Sequence, residues 1–201
     1  MKKQLRPEVP QILKDNSGKW NQQWAARRAS NSSATFSWYQ WEGISVRDWI
    51  LPILRDMNQE HCSFCDSFPL FASTNEPIEH FRPKSNPLFY DQAFTWSNLY
   101  YSCPLCQSCK GEKWDDGLLA PDVDEYVLHD YFVFDFTTGG ISPNPSASLS
   151  HQERARCTIE LYGLDLAVRR RSRLLEARKW QKTGEQDIDD WAYRDFLTGA
   201  T

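Results

Sequence analysis

The chain has no run of eighteen apolar residues, so no segment is long enough to cross a bilayer as a helix. Its first ten residues, MKKQLRPEVP, offer no apolar stretch of the kind a secretory signal needs; a cytoplasmic location without a membrane partner is therefore expected. Internal repeats and low-complexity tracts are absent too. Lys and Arg are missing altogether from residues 115–150, a window holding seven Asp and Glu. A net charge of −4 over 201 residues argues against a uniformly basic nucleic-acid binder. Basic side chains gather instead in residues 1–58, with nine Lys/Arg against five acids, and 151–182, with nine against four. These flanks are where phosphate contacts are expected, with Arg169, Arg170, Arg171 and Arg173 as the densest group; a solvated helix face or a docking surface explains the same run equally well.

Against these absences stand six cysteines and an aromatic content of 14%, with nine tryptophans. A chain of this length can bury about 70% of its unfolded surface, enough for a sizeable core. In a reducing compartment cysteines favour metal over disulfides. Cys62-x-x-Cys65 and Cys103-x-x-Cys106 offer two thiolates each, which is what a closed tetrahedral Zn²⁺ site requires. Cys106-x-x-Cys109 is an alternative second pair. His61 adjoins Cys62 as a possible neighbour of the metal, whereas His129 and His151 sit among no comparable residues.

Periodicity and punctuation outline the elements. Trp20 and Trp24 share a face of a helix expected over Lys19–Ala29. Ser45 with Asp48 resembles a helix start before Trp49, Ile50, Ile53, Leu54 and Met57, with a kink expected at Pro52. Short strands are expected at Ile78–Phe81 and Leu99–Ser102, followed by a helix from Pro104 to about Trp114. Ser142–Ser146 reads as a loop; Ser150 with Glu153 opens a helix that Gly163 ends, and Asp165 caps another running to about Lys182.

The order Cys-x-x-Cys, strand with Glu79-His80, Asn98, strand, Cys-x-x-Cys and helix resembles the HNH endonucleases. The strings IEHFRPKS (78–85), WSNLYYSC (96–103) and CQSCKGEKW (106–114) resemble a narrower group, the HNH nuclease subunit of the Septu anti-phage system, which also occurs with retrons. The likeness extends upstream through Glu60–Asp66 and downstream through Arg154–Gly163. It implies an α+β fold: a zinc-stabilised ββα-metal, treble-clef-like core at residues 59–122, a helical N-terminal extension at 1–58, and a loop and helical C-terminal extension at 123–201, forming one compact unit. The implied partners are an SMC-like or ABC-type ATPase and a nucleic-acid substrate.

Phosphodiester hydrolysis needs a deprotonated water, a cation beside the leaving oxygen and an in-line substrate. His80, neutral near pH 7, suits the general base. The resemblance implies that Glu79 binds a catalytic Mg²⁺ or Mn²⁺ and that Asn98 braces the loop and orients the histidine. Gln107 stands where the family usually has His or Asn, so it binds the same ion directly or through water. Lys110, one helical turn on, is expected to reach the scissile phosphate, with Arg82, Lys84 and Lys113 as further nucleic-acid contacts. The leading expectation is a metal-dependent endonuclease acting on phage DNA as a defence effector. An RNA-cleaving toxin and a zinc-binding module with a decayed site are the alternatives.

Overall fold

The computed structural model describes residues 1–70, 77–183 and 187–199. Helices mix with three two-stranded antiparallel sheets among the described residues, an α+β architecture. No helix there is long and apolar enough to cross a membrane.

Helix α1 (Gln11–Ser30) starts eight residues before the expected Lys19, because the Pro10 carbonyl accepts from the amides of Leu13 and Lys14 and closes an earlier first turn. Leu13, Trp20, Asn21 and Trp24 recur at helical spacing and form its buried face. A tight hairpin, β1 (Gln40–Trp41) and β2 (Ile44–Ser45), leads into α2 (Val46–Asp56), which continues through Pro52. Ser45 stands at its N-cap position without a side-chain capping bond.

The centre of the chain forms a hairpin and a helix. β3 (Ile78–His80) pairs with β4 (Leu99–Tyr101), with His80 opposite Leu99 and Glu79 opposite Tyr100. Helix α3 (Pro104–Lys110) follows at once, with Pro104 preset for the first turn and Cys103 as its cap. It stops four residues short of Trp114 because Gly111 adopts φ +52°, ψ −130°, a conformation that suits glycine.

After the short helix α4 (Leu128–Tyr131) come β5 (Phe132–Asp135) and β6 (Gly140–Pro143). The loop expected from Ser142 is therefore corrected: Ser142 and Pro143 extend a strand paired with Val133 and Phe132, and the irregular chain starts only afterwards. Helix α5 (Leu149–Tyr162) is capped by Ser148, which accepts from the His151 amide, rather than opened by Ser150; Gly163 ends it at φ +59°. Asp165, expected as a cap for α6 (Ala167–Thr183), instead accepts from the Ile141 amide and pairs with Arg170. Helix α7 (Arg194–Gly199) closes the described chain.

One hydrophobic core draws residues from all three segments of the chain, from Leu13 and Ile50 through Phe64, Leu99 and Leu119 to Tyr162 and Leu164. Tyr162 of α5 stacks on Phe64 at 3.9 Å, so the C-terminal arm packs on the turn that carries the first cysteine pair.

Candidate metal centre and adjoining cleft

The two Cys-x-x-Cys segments meet in space. Cys62, Cys65, Cys103 and Cys106 are all buried and free, and their sulfurs lie within 4.8 Å of one another. Zn–S bonds of about 2.3 Å in a tetrahedron put sulfurs roughly 3.8 Å apart. Cys62 and Cys106 are 3.8 Å apart and Cys65 and Cys103 3.7 Å apart, so the donor set fits a structural zinc. The local chain prepares the site: the Cys103 amide donates to Cys62 Sγ at 3.2 Å and the Cys106 amide to Cys103 Sγ at 3.3 Å. Cys109 is half-buried and outside the cluster, against Gly163, which decides between the two possible second pairs.

Burial raises the Cys62 and Cys106 thiols, while hydrogen bonds from Cys106 and Cys62 draw Cys103 down to about 7. Burial opposes the thiolate at Cys65 too, but bonds from the other three sulfurs and the charge of Arg169 outweigh it. His61 is not a member: its ring nitrogens bond to the carbonyls of Gln59 and Trp191, and the ring stacks on Phe68. The knuckle is anchored from behind by Asp66, which follows Cys65 at φ +61° and takes a buried bidentate pair from Arg194 of α7.

The same helix start that supplies Cys103 and Cys106 also reaches the β3 strand. Glu79, His80 and Gln107 line a cleft of about 240 Å³ together with Pro83, Lys84, Gly111 and Glu112. His80 Nε2 donates to the Ala93 carbonyl at 3.0 Å, which leaves Nδ1 as the lone-pair nitrogen. Phe36 and Trp38 wall the ring at 5.1 and 5.7 Å. Burial, with Lys84 and Lys110 adding repulsion, holds the imidazole pKa well below its usual 6.5, so the ring is neutral at pH 7. Burial also raises Glu79, against the pull of Lys110.

Lys110 does not face outward. It is 0% exposed, and its ammonium donates to Glu79 Oε1 at 2.7 Å, to the His80 carbonyl at 3.0 Å and to the Gly111 carbonyl at 3.4 Å. With three donors spent, the phosphate contact expected of this residue is corrected to a brace beneath the strand. Gln107 Nε2 points at the Ile78 carbonyl at 3.4 Å. Asn98 accepts from the Arg82 amide at 2.6 Å and donates to the carbonyls of Arg82 and Gln92, so it clamps the loop leaving β3. Arg82 is half-buried against Gln92 and Trp114; Lys84 borders the cleft, its Nζ 5.3 Å from the Phe36 ring centre; Lys113 is exposed.

Glu79, His80 and Gln107 share one pattern. Each has one polar atom held by protein, and Glu79 Oε2, His80 Nδ1 and Gln107 Oε1 are left without a partner among the described residues. The spare oxygens are hard donors of the type Mg²⁺ or Mn²⁺ takes.

Sequence reasoning overlooked several contributors. Phe36 and Trp38 come from the N-terminal segment, some forty residues before His80, and no spacing marks them. The basic run around Arg169 hides two unlike pairs: Arg170 and Arg171 are exposed, while Arg169 and Arg173 are buried. Arg173 donates to the carbonyls of Gly139 and Leu164, and Arg169 points at the cysteine sulfurs. Their expected place on a phosphate path is therefore corrected to structural contacts. Neither the family models nor the curated proteins contain a match to this chain.

Proposed function

We propose that this chain is a metal-dependent endonuclease of the HNH type, hydrolysing phosphodiester bonds in DNA as the effector of a defence complex that includes an ATPase. The observation that carries the reading is the set of three half-anchored side chains, Glu79, His80 and Gln107, opening on one cleft beside a four-thiolate knuckle. In the proposed reaction His80 Nδ1 takes a proton from the attacking water, and the Ala93 carbonyl holds the ring in the required tautomer. Glu79 Oε2 and Gln107 Oε1 would hold the Mg²⁺ or Mn²⁺, with Lys110 keeping the Glu79 carboxylate oriented from the opposite side. Such an ion, when bound, stabilises charge on the leaving oxygen. Asn98 keeps the loop after His80 in place, and Lys84, at the border of the cleft, would meet a backbone phosphate. The antiparallel pair β3–β4 followed directly by α3 is the order a ββα-metal core has, which supports the same reading. The ATPase partner rests on the sequence resemblance.

The test is cleavage of labelled plasmid and single-stranded RNA by the zinc-loaded protein, alone and with the ATPase, in Mg²⁺ or Mn²⁺. Cleavage of the DNA that falls by about a hundredfold or more in His80→Ala, with zinc content unchanged, is expected. Full activity of His80→Ala, or no cleavage of DNA under any of these conditions, overturns the reading.

A further inference from the structure

Arg169 begins the buried face of α6 and is 3% exposed. Its Nη2 lies 3.1 Å from Cys106 Sγ and 3.9 Å from Cys103 Sγ. No carboxylate pairs with it among the described residues, and its Nε is buried without a hydrogen-bond partner. A buried guanidinium without an anion is costly, so its position requires negative charge nearby. By formal count, four thiolates around one Zn²⁺ carry two surplus negative charges, enclosed where water cannot screen them. The arginine and the knuckle therefore answer each other: one is a buried cation without a carboxylate, the other a buried dianion.

We propose that Arg169 is the counter-cation of the tetrathiolate centre, which makes α6 part of the metal site although it supplies no ligand. Its guanidinium spans two sulfurs of the same Cys-x-x-Cys turn, both on the α3 side of the cluster. Donation to a coordinating thiolate moderates its charge and orients it, as outer partners of metal ligands commonly do. The equally buried Arg173 lies one turn further along α6 and bonds only to carbonyl oxygens, so it serves as an internal control. This inference rests on the zinc reading and not on the nuclease reading.

The experiment measures zinc release from the full chain into excess chelator for wild type, Arg169→Met, Arg169→Lys and Arg173→Met. Release about tenfold or more faster in Arg169→Met, intermediate in Arg169→Lys and near wild type in Arg173→Met is expected. Unchanged release in Arg169→Met overturns the proposal. Equal acceleration in the two Met variants also overturns it, because the effect would then not depend on the contact with sulfur. Should Arg169→Met not fold, the cobalt-substituted Arg169→Lys protein decides: a shifted thiolate-to-cobalt absorption band supports the contact, and an unmoved band with wild-type release rejects it.

Discussion

Two sites share the start of α3, and they treat their polar groups in opposite ways. At the knuckle, four soft sulfurs of one kind are buried together, and amide donors and Arg169 close around them. At the cleft, three side chains of different kinds are each gripped by one atom and left open at the other. Closure suits a centre that must hold its metal permanently; an open coordination position suits one that exchanges its partners. The open site has its own support. Lys110 braces the strand bearing Glu79 and His80 from within, so the cleft is shaped by a residue that does not line it.

Breaking the closed site should have the largest effect. Cys62→Ser removes one of four thiolates, and because structural zinc binding supplies about 10 kcal/mol or more of folding free energy, loss of both the metal and the cooperative thermal transition is expected. Metal analysis alongside calorimetry checks this; retained zinc at one per chain with an unchanged transition contradicts it.

The brace comes next. Lys110→Met leaves the Glu79 carboxylate buried and unpaired, a change that costs about 3–5 kcal/mol. Glu79→Gln combined with Lys110→Met should recover part of that loss, since the buried charge is gone. Chemical denaturation of the two singles and the double measures the coupling, and additive losses would remove Lys110 from its assigned place.

A smaller effect is expected from pH. The folded-state pKa of His80 lies below its unfolded value near 6.5, so the stability linked to this group is present above pH 6.5 and is lost as pH falls through the folded value. Glu79 acts in the opposite sense: with its folded value raised, its contribution is present below its unfolded value and lost as pH rises. The His80 share is therefore the difference between wild type and His80→Gln in denaturation followed over pH. The acid limb of cleavage should likewise fall below pH 6.5. Lys84→Met removes one of the charges that repel the imidazolium, so it should move that limb upward. A limb that stays in place separates Lys84 from His80.

The smallest effect is expected at the exposed basic side chains. Neutralising Lys113 or Arg171 should reduce the slope of log affinity for DNA against log salt by about one each where the residue meets a phosphate. Arg173→Met should leave the slope unchanged, because that guanidinium is spent on carbonyls.

Much of the candidate site was legible because its signals are local. Cys-x-x-Cys spacing brings two sulfurs to one turn, and Glu79, His80 and Asn98 lie on short strands or beside them. Gly163 marked a helix end through a left-handed conformation that suits glycine, whereas Gly111, which ends α3, was read through. Less was legible where a residue's partner is distant. The run at Arg169–Arg173 is nearly uniform in composition, and only the docking of α6 decides which guanidinium meets sulfur, carbonyl oxygen or carboxylate. The Ser142 strand was hidden because its pairing with β5, not its own composition, makes it extended.

What the sequence determined by itself is the chemistry available: which side chains are soft, hard or titratable, and which turns can present them in pairs. Tertiary structure alone decided how each is used. It turned Lys110 inward onto Glu79, set Phe36 and Trp38 against His80, and left Cys109 outside the cluster. The physical reason is that burial and partner distance, which set the cost of a charge and the protonation of a base, depend on contacts between residues far apart in the chain.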